Sequence, residues 1–363
     1  MEKYPIPMVP GPTSVPEEIL IAYLNNYGSA DMEPEFLDLY NQTEENIKQI
    51  LQTKNQVAIL TGEGMLALWS ALKSVILPGD RILALATGVF GYGVAEMAKS
   101  IGAQVKTVGF AYNETLHDWD MIEKAIIEFN PKMITVIHCE TPSGTLNPLE
   151  KLSELKVKHQ IPLLYVDVVA SIGGVPILVD DWQIDFALGG SQKVLSSPAD
   201  ISFLSISAKA WQEIESVNYP GYDALLPYRD AQKNFYFPYT QHWHGIRAIN
   251  IATKLILDEG LQNVFTRHQQ VAEFLRNQSL KIGFELFPSP SAILSPTVTA
   301  LCVPDATTWE ILDRKFREHG LVVGGSYGPL TGKVFRLGHM GHQANMLLAN
   351  KAIEVMEKVI KSL

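Results

Sequence analysis

The chain is 363 residues long, which suggests two domains at about 150 residues each. Its formal net charge is −10, and no run of Lys and Arg offsets it, so we expect neither nucleic acid nor anionic membranes as partners. Two cysteines, Cys139 and Cys302, cannot build a disulfide framework and lack metal-ligand spacing, so we predict no metal site. With neither a signal-like leader nor an apolar run of about 20 residues, the sequence predicts a soluble, cytoplasmic protein.

From about residue 57 the sequence alternates short apolar runs with longer helical patterns. Apolar runs separated by helices are typical of buried parallel strands that are covered on both faces. The runs lie at residues 57–60, 81–86, 103–108, 133–138, 163–166 and 186–189. The pattern predicts an α/β domain with an open, mostly parallel sheet, in which ligands bind at the carboxyl ends of the strands.

After about residue 255 the pattern changes. Helical periodicity at 261–282, 309–319 and 346–360 alternates with strand-like runs, which lie at 297–303, 321–323 and 334–337. This arrangement predicts a smaller α+β domain. We therefore divide the chain into an N-terminal arm, a large domain and a small C-terminal domain, at residues 1–16, 17–255 and 256–363.

Lys193 is the first candidate for chemistry, because it follows the apolar run 186–189 and two glycines. A lysine in a cleft at a strand end is desolvated, which lowers the pKa of its amine and makes the amine nucleophilic. The ordinary alternative is an exposed loop lysine, since charged side chains are mostly exposed.

Asp167 ends a second apolar run, 163–167. A carboxylate in a buried strand is costly unless it is paired. One suitable partner is a protonated pyridine nitrogen, because the charge pair keeps the ring cationic and able to accept electrons. The alternative is a helix N-cap, since Ser171 and two glycines follow closely.

Further candidates lie in turns at strand ends. Residues 61–65 join a strand to a helix, so their backbone N–H groups form either an anion site or a plain glycine turn. Phe90 either stacks on a flat ring or belongs to the core. The polar loop 138–144 either contacts ring substituents or caps the next helix.

Arg336 lies between apolar neighbours on a predicted strand. A buried arginine needs an anion, and its planar guanidinium suits a carboxylate bidentately. The alternative is an internal salt bridge with a nearby Asp or Glu.

Together these candidates resemble fold-type I pyridoxal-phosphate enzymes, and in particular the class V aminotransferase family in its alanine–glyoxylate and serine–pyruvate branch. The most specific match is the stretch 166–174 followed by 190–193, and the resemblance runs from Pro10-Gly11-Pro12 to residues 332–341. It implies a pyridoxal 5'-phosphate enzyme that moves an amino group from alanine or serine to glyoxylate or pyruvate. It also implies a homodimer with active sites at the interface.

The resemblance further implies a role for each candidate residue. Lys193 binds the cofactor as a Schiff base and shuttles the proton, Asp167 pairs with the pyridine nitrogen, and Arg336 binds the substrate's α-carboxylate. At the phosphate, the implied contacts are Gly64, Met65 and Gln192, and Thr240 is implied to reach the phosphate of the partner subunit. Phe90 is implied to stack on the ring face, and Thr141 to contact the ring hydroxyl.

A few positions depart from this pattern. Met65 stands where mammalian-type alanine–glyoxylate enzymes have His. Glu63 places a carboxylate beside the phosphate turn. In this feature and in the run 140–145, the sequence is similar to pyridoxamine–pyruvate aminotransferase, a relative that uses the unphosphorylated vitamin as substrate. Tyr327, however, stands near the place of an additional Arg in that relative. Because Glu63 favours a pyridoxamine–pyruvate-type reaction and Tyr327 counts against it, this reaction is kept as the alternative activity.

A desulfurase and a non-enzymatic binding module both fit the sequence less well. A desulfurase, or another lyase on the same fold, would need a nucleophilic cysteine on a mobile loop, and neither Cys139 nor Cys302 is in such a position. A non-enzymatic binding module would be expected to lack Lys193, Asp167 or Arg336, and all three are present.

Overall fold

The computed structural model describes residues 4–363, and within this range the chain forms a seven-stranded sheet, a four-stranded sheet and a short hairpin. The strands are β1 (Ile6–Met8), β2 (Gln56–Thr61), β3 (Arg81–Ala86), β4 (Gln104–Gly109), β5 (Met133–Ile137), β6 (Cys139–Glu140), β7 (Thr145–Leu146), β8 (Leu163–Asp167), β9 (Phe186–Gly190), β10 (Ile201–Ile206), β11 (Val298–Cys302), β12 (Leu321–Gly325) and β13 (Val334–Gly338). The helices are α1 (Glu17–Leu20), α2 (Pro34–Leu51), α3 (Gly64–Val75), α4 (Val89–Ser100), α5 (Trp119–Phe129), α6 (Glu150–Lys158), α7 (Ala208–Val217), α8 (Ala231–Asn234), α9 (Trp243–Glu259), α10 (Leu261–Lys281), α11 (Trp309–Glu318) and α12 (Met346–Ile360). Between residues 4 and 363 no helix has both the length and the apolar character that a bilayer crossing requires.

The large sheet has the strand order β2-β10-β9-β8-β5-β3-β4. β10 is antiparallel to both of its neighbours, and the other pairings in this sheet are parallel. Every residue of β5, β8 and β9 is buried, as the continuous apolar runs predict. The predicted α/β fold with a mostly parallel sheet is confirmed, although the sequence patterns did not predict β10.

The small sheet has the order β1-β12-β13-β11 and lies in the C-terminal part of the chain. β11, β12 and β13 correspond to the strands predicted there, with antiparallel pairing of β13 to both neighbours. The arm contributes β1, which the sequence patterns did not predict. This strand pairs in parallel with β12, with Ile6 opposite Leu321.

The hydrophobic core has two main parts. The larger one surrounds the seven-stranded sheet and contains buried side chains from residues 19–264. The smaller one combines Ile6 and Met8 of β1 with buried side chains from residues 271–359. A large α/β region and a smaller α+β region are therefore present, while the bounds 1–16, 17–255 and 256–363 stay a prediction.

Candidate active site

A cavity of about 270 Å³ opens at the carboxyl ends of the parallel strands. An open α/β sheet places ligands at this edge, because the loops that follow the strands meet there. Seven of the nine predicted site residues line the cavity: Gly64, Met65, Phe90, Thr141, Asp167, Gln192 and Lys193. The remaining lining residues are Gly11, Pro12, Glu63, Leu68, Cys139, Val169, Ala170 and Ala199. Thr240 and Arg336 are not among the lining residues.

Lys193 lies in the turn after β9, beneath the N-terminal arm. Its Nζ donates a hydrogen bond to the carbonyl oxygen of Pro10 at 2.5 Å. Its side chain is partly exposed because it faces the cavity, while protein surrounds the amine. Burial, and then the charge of Arg336, lower the pKa of the Lys193 amine to about 8. Because the neutral amine is the nucleophile, this lysine is able to attack a carbonyl near neutral pH, unlike an exposed loop lysine.

Asp167 is the last residue of β8 and is 8% exposed. Its Oδ1 accepts the N–H of Val169 at 2.8 Å, so the carboxylate does stabilise the following turn. Burial raises the pKa of Asp167 to about 6, although the Val169 hydrogen bond and the charge of Lys193 act in the opposite direction. A cationic N–H group in the cavity would therefore stabilise the ionised form of this carboxylate.

The first turn of α3 forms one end of the cavity, where Gly64 approaches other atoms closely. A Cβ at Gly64 would lie 3.0 Å from Cγ2 of Val169. Glu63 caps the helix, because its Oε1 accepts the N–H of Met65 at 3.1 Å. Its Oε2 accepts a hydrogen bond from Nε2 of Gln192 at 2.8 Å. The carboxylate of the chain itself thus occupies the place that the sequence pattern predicted for an anion.

A buried glutamate, Glu140, is linked to two of the predicted site residues: it precedes Thr141 in the chain and accepts a hydrogen bond from the backbone of Phe90. The two carboxylate oxygens of Glu140 accept the N–H groups of Phe90 and Gly91 at the start of α4, at 3.2 and 2.7 Å. In the sequence, Glu140 belongs to the polar loop 138–144, and the pattern indicates no role of its own for this residue. The available signal was a glutamate in an otherwise buried strand-end segment, where a charge is costly without a partner.

Arg336 is on β13 and is 2% exposed. Its Nε donates to the carbonyl oxygen of Gly325 at 2.8 Å, and Nη2 donates to the same oxygen. The ring of Tyr327 lies 4.7 Å from the guanidinium carbon. Within residues 4–363 no carboxylate forms a salt bridge with Arg336, so the described chain does not contain the internal salt bridge that the sequence left open as the alternative. Nη1 is therefore available for an anion from outside.

The arm connects Arg336 and Lys193. A Cβ at Gly324 would lie 2.7 Å from Cδ of Pro10 and 3.4 Å from Nη2 of Arg336, so Pro10 and the guanidinium share the space above this glycine. Gln343 holds the arm: its Nε2 donates to Val9 O at 2.8 Å, and its Oε1 accepts the N–H of residue 14 at 2.8 Å. In the sequence, the Pro-Gly-Pro motif at 10–12 belongs to the resemblance to the family, and nothing in it predicts a position in the site.

Thr240 lies on the surface, away from the cavity lining of its own chain. Its hydroxyl donates to Oδ2 of Asp31 at 2.9 Å. A contact between Thr240 and a phosphate would therefore have to involve a second subunit, and this contact stays a prediction.

Comparison with known proteins identifies the class of protein to which this fold and site belong. The family Aminotransferase class-V matches residues 10–323. An alanine–glyoxylate aminotransferase of Callithrix jacchus is 30% identical over 367 residues, which cover 97% of this chain and 86% of the relative. Two crystal structures superpose with a TM-score of 0.94 at 28% identity and cover 99% of this chain. One is an alanine–glyoxylate aminotransferase from Nostoc sp., covered to 96%, and the other a pyridoxamine–pyruvate aminotransferase from Mesorhizobium loti, covered to 93%.

The molecule is thus a fold-type I pyridoxal-phosphate transferase with a large, mostly parallel sheet and a smaller C-terminal region. More specifically, the chain belongs to the class V aminotransferase family. It is an aminotransferase that uses pyridoxal 5'-phosphate, and its substrates are amino acids and 2-oxo acids.

The side chains around the cavity fit this cofactor at its ring end. Lys193 supplies a buried amine of lowered pKa, and Asp167 supplies a carboxylate that a cationic ring nitrogen would stabilise. Oε1 of Gln192 is buried and, within residues 4–363, has no hydrogen-bond partner, so it is available to a ligand. If a phosphate were to bind at the first turn of α3, Glu63 would have to turn away from it, because two anions cannot share that position.

Proposed function

We propose that this aminotransferase moves the amino group of alanine or serine to glyoxylate or pyruvate. The observation that carries the proposal is the buried guanidinium of Arg336, which has no carboxylate partner within residues 4–363. The α-carboxylate common to amino acids and 2-oxo acids supplies such a partner. Arg336 itself is not among the residues that line the cavity, and Lys193 is the only Lys or Arg among them in the described chain, so the lining adds no further cation for a distal carboxylate. This composition favours small substrates with a single carboxylate.

In this proposal the side chains act on the substrate and the cofactor as follows. Bound pyridoxal phosphate supplies an electron-accepting ring. Lys193 Nζ would hold the cofactor and would accept the proton that leaves the substrate's α-carbon, because its lowered pKa of about 8 leaves part of the amine neutral. Asp167 holds the N–H of the ring nitrogen, and Arg336 orients the α-carboxylate. The remaining proposed contacts are Phe90 at the ring face, Thr141 at the ring hydroxyl, and Gly64, Met65 and Gln192 at the phosphate.

The absorption spectrum of the purified holoenzyme tests this proposal directly. The visible band of the lysine-bound cofactor should bleach when L-alanine is added and should return when glyoxylate is added. Lys193→Ala should lose steady-state turnover, while Lys209→Ala, an exposed lysine on α7, should keep it. A protein whose spectrum is indifferent to alanine and to serine would refute the proposed donors. Turnover in Lys193→Ala would refute the role of the lysine.

Glu63 favours a second candidate, transfer of the amino group from unphosphorylated pyridoxamine to pyruvate. Its carboxylate already accepts from Met65 N–H and from Gln192, the two groups nearest the proposed phosphate position. A vitamin without a phosphate needs no anion site there. One of the similar crystal structures is a pyridoxamine–pyruvate aminotransferase, which is consistent with this candidate.

Binding measurements on apoprotein distinguish the two candidates. Glu63→Gln keeps the size of the side chain and removes its charge, so it should strengthen binding of pyridoxal phosphate relative to pyridoxal. For the wild-type protein, turnover of pyridoxamine with pyruvate in the absence of any phosphorylated cofactor would establish the second candidate. No such turnover, together with tight binding of pyridoxal phosphate, would eliminate it.

We also propose a homodimer whose active sites lie at the subunit interface. Large apolar side chains are strongly exposed near Thr240 in sequence, including Tyr236 at 73% and Tyr222 at 76%, and Met32 next to Asp31 is 72% exposed. Burial of such a patch between subunits is favourable. Sedimentation should give the mass of a dimer, and Thr240→Ala should weaken binding of the phosphorylated cofactor. A cytoplasmic location is proposed from the composition.

A further inference from the structure

Glu140 is a buried acid that caps a helix from a distant part of the chain. It belongs to β6, and its side chain is fully buried. Its Oε1 accepts the N–H of Gly91 at 2.7 Å, and its Oε2 accepts the N–H of Phe90 at 3.2 Å. Both N–H groups belong to the first turn of α4, whose own N-cap residue, Gly88, makes no side-chain cap. The carboxylate therefore satisfies helix N–H groups that would otherwise lack an acceptor.

Two glycines make room for this carboxylate. A Cβ at Gly88 would lie 2.6 Å from Cδ of Glu140, so any larger residue there would displace the acid. A Cβ at Gly91 would lie 3.3 Å from Oε1 and 2.9 Å from the Cα of Ala86. Gly88 has an extended backbone that any residue adopts, so its importance is one of space and not of conformation. The start of α4 is thus shaped around the Glu140 side chain.

The acid is placed here at a cost. Within residues 4–363 no Lys, Arg or His forms a salt bridge with Glu140. Burial raises the pKa of Glu140 to about 7, although the hydrogen bonds from Gly91 and Phe90 lower it, and the nearby negative charge of Asp167 raises it further. Core packing alone would be served at lower cost by an uncharged side chain. Such a group suggests a functional reason for its position.

The position of Glu140 supplies that reason. Its chain neighbours Cys139 and Thr141 both line the cavity, and so does Phe90, the residue whose N–H it holds. The hydrogen bonds therefore connect two walls of the cavity that are about 50 residues apart in the sequence. A shift of the start of α4 relative to β6 would therefore move Phe90 relative to the other residues that line the cavity.

We propose that Glu140 is a positioning residue, which sets the place of the Phe90 ring relative to the cofactor through the two N–H groups at the start of α4. The proposal rests on the proposed stacking role of Phe90. Glu140 acts through the backbone of α4 and does not itself touch the substrate.

Glu140→Gln is the central variant, because it keeps the shape of the side chain while one oxygen becomes an N–H₂ group that faces a backbone donor. Apoprotein of this variant should exchange the amide hydrogens of residues 89–92 faster than wild type. Its dissociation constant for the cofactor, measured by titration of apoprotein, should rise roughly tenfold. Gly88→Ala, whose added Cβ displaces the carboxyl group, should have the same effects and serves if Glu140→Gln does not fold.

A matched control is Asp118→Asn. Asp118 is an exposed carboxylate that caps α5 by accepting the N–H of Met121 at 2.9 Å, and it does not line the cavity. Its removal should speed exchange at the start of α5 and leave the dissociation constant of the cofactor unchanged. An equal loss of cofactor affinity in Asp118→Asn and Glu140→Gln would mean a general loss of stability and would overturn the proposal.

A double-mutant cycle with Phe90→Ala separates this proposal from the assignment on which it depends. In the Phe90→Ala background, Glu140→Gln should change cofactor affinity by less than twofold, because no ring remains to be positioned. If Phe90→Ala weakens cofactor binding and Glu140→Gln does not, the positioning role is overturned and the stacking role stands. If Phe90→Ala itself leaves cofactor binding unchanged, the stacking role fails and the proposal fails with it. Neither measurement depends on which amino acid is the donor.

Discussion

Replacement of Arg336 tests the part of the site that selects a carboxylate. Arg336→Ala removes the guanidinium and its charge, and Arg336→Lys keeps the charge and loses the planar pair of donors. Nε and Nη2 of Arg336 donate to Gly325 O, which fixes the orientation of the group. These two hydrogen bonds do not involve Nη1, so we expect an incoming carboxylate to meet Nη1 on the guanidinium, which also has Tyr327 beside it.

The expected increase in KM follows from the number of hydrogen bonds that are lost. A hydrogen bond to a charged group contributes about 1.5–3 kcal/mol, and about 1.4 kcal/mol corresponds to a factor of ten. Loss of one such bond in Arg336→Ala should therefore raise the KM for both the amino acid and the 2-oxo acid about 10- to 150-fold. Arg336→Lys should give a smaller increase, about tenfold or less, because the ammonium group keeps the charge but lacks the planar group that the hydrogen bonds to Gly325 O orient.

Arg276→Ala is the matched control. Arg276 is also buried, at 8% exposure, and its Nη1 donates to Ser295 O at 3.0 Å. It lines a separate groove and not the cofactor cavity. Steady-state kinetics and thermal unfolding should be measured on each variant. We expect Arg276→Ala to lower Tm and keep KM within about twofold. If Arg336→Ala lowers Tm and leaves both KM values unchanged, Arg336 is structural and the reasoning is refuted.

The remaining predictions concern pH and backbone strain. The rate at which apoprotein attaches the cofactor should rise with pH and level off above about pH 8, where the Lys193 amine is neutral; a flat profile would contradict the lowered pKa. Gly11→Ala should both destabilise the protein and block attachment of the cofactor, because Gly11 has φ +106° and a Cβ there would lie 2.6 Å from Lys193 Nζ. Gly79→Ala, at φ +92° with open space around it, should show the loss of stability alone. Burial lowers the pKa of His268 to about 4, below the value of about 6.5 in an unfolded chain, so its contribution to stability is present above pH 6.5 and is lost as pH falls. Between about pH 4 and 6.5, His268→Gln should therefore reduce the pH dependence of the unfolding free energy by about 1.4 kcal/mol per pH unit. An unchanged pH dependence in denaturant titrations would contradict this.

The sequence predicted the parallel strands well because burial on both faces leaves a strong local pattern. Each parallel strand ends at the same edge of the sheet, so Asp167 and Lys193 were expected to meet once β8 and β9 were recognised. The direction of a strand, in contrast, leaves no local pattern. The antiparallel pairing of β10 could not be predicted for this reason, and the strand itself was not predicted because Ser202 and Ser205 interrupt its apolar run.

The roles of Glu140 and Arg336 were not predicted from sequence because they depend on contacts between distant residues. The partners of Glu140 lie about 50 positions earlier, in a helix whose glycines read as an ordinary turn. For Arg336, the sequence left an external anion and an internal salt bridge both open. The choice depended on whether a carboxylate lies beside it in space, which residue order does not reveal.

The pairing of β1 with β12 has a consequence for the way in which the molecule is made. Leu321, the partner of Ile6, follows it by more than 300 positions, so β1 is synthesised long before its neighbouring strand. In that interval the backbone groups of β1 lack the partners that β12 supplies, whereas every strand of the seven-stranded sheet precedes β12 in the chain. The carbonyl oxygen of Pro10, which accepts from Lys193, follows β1 directly, so we expect this side of the cavity to form only once β12 is present. Enzyme activity should consequently be among the last properties that a newly synthesised chain acquires.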